Sequence, residues 1–160
     1  EMPMCDWSSD VCSSDLDNSY WRDMGRPDDF VRGSSDLVRG IAHSPLLEGK
    51  TGESLVDPSA GVAGGVLLLS GTSVGRGSEI GAGCRLDGTV IFDGVTIEPG
   101  AHIANSIIAS GARIGANAHI EDCVIGEGAL IGARCELLNG MRIFPGVDIP
   151  DAGVRFSSDA

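Results

Sequence analysis

Val74, Ile91, Ile108 and Ile125 recur at intervals of seventeen residues. The same interval links Ile80, Ile97, Ile114 and Ile131, and again Leu86, Ile103, Ile120 and Leu137. Three apolar ladders in one frame mean that a short unit is copied along an axis, and a fixed period of this length marks a repeat architecture. Taken in order, these residues are separated by steps of 6, 6 and 5, repeated. Neither an α-helix nor plain strand alternation gives that spacing. Each step therefore reads as a short strand and a corner, and three steps close one coil.

The residue two before each aliphatic is small or β-branched. One such ladder is Thr72, Thr89, Ser106 and Cys123; a second is Ser78, Val95, Ala112 and Ala129; a third is Cys84, Ala101, Ala118 and Cys135. In a strand, residues i and i−2 face the same way, so the large and small residues both point into a narrow interior. Glycine often follows the aliphatic, as at Gly75, Gly81, Gly115, Gly126 and Gly132. Further glycines (Gly77, Gly83, Gly94, Gly100, Gly111, Gly128) recur at corners, where positive φ is required. This hexapeptide repeat resembles the left-handed parallel β-helix, and the handedness is an implication of that resemblance. Looser steps of six extend the pattern upstream through Val56, Val62 and Leu68 and downstream through Ile143 and Ile149. About five coils are expected over residues 55–160, with Pro145, Pro150 and Phe156 suiting a terminal plug over the last unpaired edge.

Composition narrows the function. Twenty-four glycines and 4% aromatics suit a thin prism filled by Ile, Val and Ala. A net charge of −12 leaves no basic stripe for a nucleic-acid backbone. No apolar run is long enough to span a bilayer as a helix, and no secretory signal is evident. Cys84, Cys123 and Cys135 fall at inward small positions. Cys84 and Cys135 lie three coils apart on one ladder, on the order of 14 Å, beyond disulfide reach. Buried free thiols match a reduced, cytoplasmic setting.

The opening stretch does not belong to this pattern. Residues Asp6–Leu16, DWSSDVCSSDL, resemble the translation of a common sequencing adapter in a single frame. Residues 1–16 are therefore read as foreign to the fold, and the chain as the tail of a longer protein. Cys5, Cys12 and Trp7 lie in this stretch and carry no site.

From Tyr20 the chain reads YWRDMGRPDDFVRGSSDLVRG. Tyr20 and Trp21 suggest a short strand, and Gly25 and Pro27 a turn. Proline suits the first helical position, and Asp28 and Asp29 favour a helix N-terminus. Phe30, Val31, Leu37 and Val38 form an apolar stripe, and Gly40 is a C-terminal stop. A helix over Pro27–Arg39 follows. Residues 41–54, with Pro45, two glycines and no period, read as a linker.

The stretch YWRDMGRPDDF resembles the Tyr-Trp-x-Asp-x-Gly-x-Pro segment of sugar-nucleotide pyrophosphorylases. In that family the segment closes an α/β nucleotidyltransferase domain, before a helix and often a β-helix tail. The wording DDFVRGSSDLVRG and FPGVDIPDAGVRFSSD is most similar to bacterial mannose-1-phosphate guanylyltransferases. The resemblance implies that residues 17–40 are the C-terminal remnant of that domain. It also implies Mg²⁺ as cofactor, with Asp23 as a metal ligand beside the nucleotide phosphates. A nucleoside triphosphate and a sugar 1-phosphate are the implied substrates, and the β-helix is the implied means of homo-oligomer assembly or of regulation. Hard carboxylate oxygens suit Mg²⁺. Arg26 stands where the family more often has Thr, which weakens helix capping there. The family's glycine-rich nucleotide loop is not in this chain, so the chain alone is expected to be inactive. Another pyrophosphorylase specificity, such as glucose 1-phosphate, stays open.

The rival class is a hexapeptide-repeat acyltransferase, in which a histidine acts as general base between subunits. His102 and His119 are seventeen apart, each just before an inward Ile. They are therefore expected to stack on an outer face between Arg85 and Glu136. The 6-6-5 count runs from Val74 to Leu137 without the loop insertion common in those enzymes. His43 falls in the linker.

Overall fold

The computed structural model describes residues 19–155; the adapter-like stretch and Phe156 lie outside them. A single helix, α1 (Pro27–Arg39), and a 3₁₀ turn at Pro45–Leu47 precede seventeen short strands. The strands form three parallel sheets. The first contains Ser54–Val56, Thr72–Val74, Val90–Ile91, Ile107–Ile108, Val124–Ile125 and Arg142–Ile143. The second contains Gly61–Val62, Glu79–Ile80, Thr96–Ile97, Arg113–Ile114, Leu130–Ile131 and Asp148–Ile149. The third contains Leu67–Leu69, Arg85–Asp87, His102–Ala104, His119–Glu121 and Glu136–Leu137. Five full turns and two strands of a sixth make up the expected parallel β-helix.

Its interior is the set of residues read from the period. All twelve aliphatics from Val74 to Leu137 are at most 4% exposed, and the small residues two positions earlier are at most 1% exposed. Burying each aliphatic contributes roughly 1.5–3 kcal/mol. The polar members of the small ladder are paired within it. Thr72 Oγ1 donates to the Leu69 carbonyl at 2.7 Å and accepts from the Thr89 amide at 3.3 Å. Ser106 Oγ donates to the Ala104 carbonyl and accepts from the Cys123 amide. Among the described residues no buried side-chain nitrogen or oxygen is left without a partner. Each such orphan would cost about 1–3 kcal/mol.

Corner backbone decides why the period is seventeen in the middle and eighteen at the ends. The corner after the third sheet uses one left-handed residue at Gly88, Asn105 and Asp122, and two at Ser70–Gly71 and at Asn139–Gly140. Each added residue lengthens its coil by one, so Ser54 pairs with Thr72 and Val124 with Arg142, while Ile107 pairs with Val124. Glycine serves a second purpose after the inward aliphatic. A Cβ on Gly115 would lie 2.4 Å from the Ala133 nitrogen of the next coil, and one on Gly81 2.5 Å from the Pro99 nitrogen.

Helix α1 has the predicted bounds, and Gly40 ends it at φ 77°. Arg26 occupies the N-cap in extended conformation and supplies no side-chain cap bond, because a guanidinium carries only donors. Val31 and Val38 are buried, and the helix packs on the first two strands of the first sheet. A Cβ on Gly71 would lie 2.7 Å from the Ser35 Cα, so this close approach requires glycine. Outward positions of the first sheet are apolar at Leu55, Val90, Ile107 and Val124 and polar at Ser73 and Arg142. The matching positions of the second sheet include Glu79, Thr96, Arg113 and Asp148.

One expectation needs correction. Tyr20 and Trp21 form no strand; side chains, described below, tie this segment down instead. Residues 41–54, read as a linker, hold the 3₁₀ turn and the start of the first strand at Ser54. Near the terminal coil Val154 packs on the core and its carbonyl accepts the Glu136 amide at 2.8 Å; Phe156 of the expected plug lies outside the described residues.

Candidate functional site

Asp23 lies in the irregular segment between Tyr20 and the helix. Immediately before it, the Arg22 guanidinium donates to the Tyr20 hydroxyl at 2.8 Å and to the Asp36 carboxylate at 2.7 Å. The Tyr20 hydroxyl donates to the same Asp36 oxygen at 2.8 Å. These contacts join the segment to the last turn of α1. They raise the Arg22 pKa above its ordinary value, the Tyr20 bond most and the Asp36 bond next. Sequence reading missed this knot. Asp36 is fourteen residues from Arg22, a separation that no helical or strand period connects.

The Asp23 carboxylate is exposed and has no hydrogen bond or ion pair to the described residues. Its oxygens are therefore free to meet a cation. One carboxylate suits Mg²⁺, which keeps several waters and commonly binds through one or two carboxylates plus substrate phosphates. The described residues include no group of three or more His, Cys, Asp or Glu placed to hold a metal ion. Asp23 could thus contribute one ligand of a set completed elsewhere. Around it Trp21 is 83% exposed and Met24 49%, an apolar surface facing solvent.

On the opposite class of candidates the geometry is equally specific. His102 and His119 pair in register and stack face to face, flanked by Arg85 and Glu136 as expected. Burial lowers the His102 pKa, with the neighbouring His119 the next cause. The coils run past both histidines without an inserted loop. Cys84, Cys123 and Cys135 are free and buried, and burial pushes the thiols of Cys84 and Cys123 up, away from nucleophilic thiolate. Among the described residues no helix is long and apolar enough to cross a membrane.

Comparison with known proteins places this geometry. Residues 50–154 match the family described as the GMPPB C-terminal domain. The chain is 65% identical over 144 residues to mannose-1-phosphate guanylyltransferase of Mycobacterium tuberculosis, a match covering 90% of this chain. It spans only 40% of that relative's length. Among solved structures, similarity extends to GDP-perosamine N-acetyltransferase of Caulobacter crescentus, at 21% identity and a TM-score of 0.43 over 68% of this chain and 55% of that one. It extends also to a putative acetyltransferase of Bacillus cereus, at 24% identity and a TM-score of 0.46 over 57% of this chain and 69% of that one. The chain belongs to the GMPPB C-terminal domain family and is homologous to the C-terminal part of mannose-1-phosphate guanylyltransferase.

Proposed function

We propose that this chain is the C-terminal part of a cytoplasmic sugar-1-phosphate nucleotidyltransferase that makes GDP-mannose from GTP and mannose 1-phosphate. The observation that carries the reading is the 65% identity over 144 residues to the mycobacterial guanylyltransferase. In the reaction an oxygen of the sugar phosphate attacks the α-phosphorus of the nucleotide, a new P–O bond forms, and pyrophosphate leaves. Mg²⁺, when bound, would offset the negative charge gathered on the phosphates. Asp23 would hold it with one carboxylate oxygen. The Tyr20–Arg22–Asp36 knot fixes the segment carrying Asp23 to α1, and α1 in turn is fixed to the coils through Ser35 and Gly71. Positioning and electrostatics carry most phosphoryl-transfer catalysis, and among the described residues neither a glycine-rich phosphate loop nor a base-reading pocket accompanies Asp23. The chain alone is inactive in this reading, and the β-helix serves homo-oligomeric assembly or regulation.

A chimera tests the assignment. The part of the mycobacterial relative that precedes the matched region is joined to residues 19–160 of this chain. GDP-mannose formation from GTP, mannose 1-phosphate and Mg²⁺ is the expected outcome. A folded chimera without that activity overturns the reading. Acetyl-CoA binding to the chain, lost in His102→Ala, would establish the acyltransferase alternative in its place.

A further inference from the structure

The molecule is acidic, with eleven Lys and Arg against twenty-three Asp and Glu. Three of its arginines nevertheless border one cavity of about 380 Å³, where the first turn of α1 meets the fifth and sixth coils. Arg26 is the N-cap of α1, Arg32 lies on its second turn, and Arg142 comes from the last strand of the first sheet. Asp28 and Asp122 share the cavity, so the local formal charge is positive by one. Arg26 is paired with Asp28 at 3.2 Å. Arg32 and Arg142 form no ion pair or hydrogen bond with the described residues, and Asp122 engages neither of them within ion-pair distance.

We infer that this cavity binds a phosphorylated small molecule through its phosphate, held chiefly by Arg32 and Arg142. Guanidinium groups present forked donors that match phosphate oxygens, and two unpaired forks from separate elements can clamp one dianion. The cavity is within the usual range for small-molecule sites, roughly 300–1,000 Å³, and exceeds a lone phosphate, so the ligand carries a further organic group. The site is built in advance. Helix α1 is seated against Gly71, and Arg142 is held in the strand ladder beside Val124, so binding orders side chains rather than backbone. Asp23 does not line the cavity, and the inference stands whether or not the chain belongs to a nucleotidyltransferase.

The test uses the full 160-residue chain with inorganic phosphate and pyrophosphate as probes, compared with sodium chloride at matched ionic strength. Calorimetric binding and a raised thermal midpoint are expected for the phosphates and not for chloride. Arg32→Ala and Arg142→Ala should each raise the dissociation constant at least about tenfold, a change worth roughly 1.4 kcal/mol. Arg113→Ala, on an outward position of the second sheet, should leave it unchanged. Arg142→Gln supplies a milder replacement, with circular dichroism confirming the fold. Equal shifts for chloride and phosphate, or folded Arg32 and Arg142 variants that bind as tightly as the parent, would overturn the inference.

Discussion

The imidazole rings of His102 and His119 stack on neighbouring coils with centroids 5.0 Å apart and planes within 10° of parallel. Arg85 lies on the strand before them and Glu136 on the strand after. Asp87 and Glu121 are the acidic neighbours, the latter 3.9 Å from the His119 Nε2. The folded state resists charging His102, since burial first and the adjacent His119 second lower its pKa. The unfolded chain then binds the proton more readily, so stability falls as pH drops below about 6.5. The loss is complete once pH passes the lower folded value. Urea denaturation at pH 7.5 and pH 5.5 should show this decline, and His102→Gln should flatten it. An identical decline in the variant would dismiss the stack as its source. Asp87 acts in a separate window. Its pKa is lowered, mainly by a hydrogen bond from Ser70 and then by Arg85. Its contribution is therefore present above the ordinary carboxylate value and is lost only in stronger acid.

Two glycines of one coil should fail for different reasons. Gly115 has no room, since a Cβ would lie 2.4 Å from the Ala133 nitrogen. Gly111 has open space but φ of +68°. Gly115→Ala forces neighbouring coils apart and should cost about 1–3 kcal/mol or more. Gly111→Ala pays only the left-handed strain, roughly 1–2 kcal/mol, and Gly111→Asn less than that. Equilibrium denaturation ranks the three. A Gly115→Ala protein no less stable than Gly111→Asn would contradict the close coil contact.

The same residues explain which parts of the fold could be read from the chain. Inward Ile and small residues are selected by one requirement, the narrow interior, so their spacing exposes the coil directly. Helix α1 was legible from Pro27, the apolar stripe and Gly40 because caps and period are local signals. The coil ends were harder to read: a second left-handed residue at Ser70–Gly71 and at Asn139–Gly140 breaks the seventeen-residue frame. The docking of α1 has only a partial signal in the chain, since the outward column that holds Leu55, Val90, Ile107 and Val124 also holds Ser73 and Arg142. Around Asp23, Tyr20, Arg22 and Asp36 meet only when the segment before α1 runs back along the helix, and no local pattern announces such a contact. The role of Asp23 itself rested on resemblance, because a lone exposed carboxylate carries no spacing.

Asp36 should govern the order of the segment before α1 without governing the solenoid. Its carboxylate accepts from both Tyr20 and Arg22, and the Arg22 side chain is only partly covered. The pair is therefore a minor contribution to the stability of the whole fold. Asp36→Ala should speed amide exchange over residues 20–24 while leaving the coil strands protected. Asp36→Asn, which keeps the bond from Tyr20 but loses the charge, should fall between. Unchanged exchange over residues 20–24 would mean that the segment is ordered by something other than this knot.

Asp23 and Asp36 should separate chemistry from positioning in the active chimera. If Asp23 supplies a metal oxygen, Asp23→Asn removes charge that the transition state requires. A loss of about 3 kcal/mol of such stabilisation corresponds to roughly two orders of magnitude in kcat/KM. The Mg²⁺ concentration for half-maximal rate should rise with it, because the defect lies in holding the ion. Asp36→Ala acts only through the segment that carries Asp23. It should lower kcat/KM by a smaller factor and leave the Mg²⁺ dependence in place. Steady-state assays of GDP-mannose formation across a Mg²⁺ series distinguish the two residues. An Asp23→Asn chimera with the parent's rate and Mg²⁺ dependence would remove Asp23 from the metal site and leave it a turn residue ahead of Gly25.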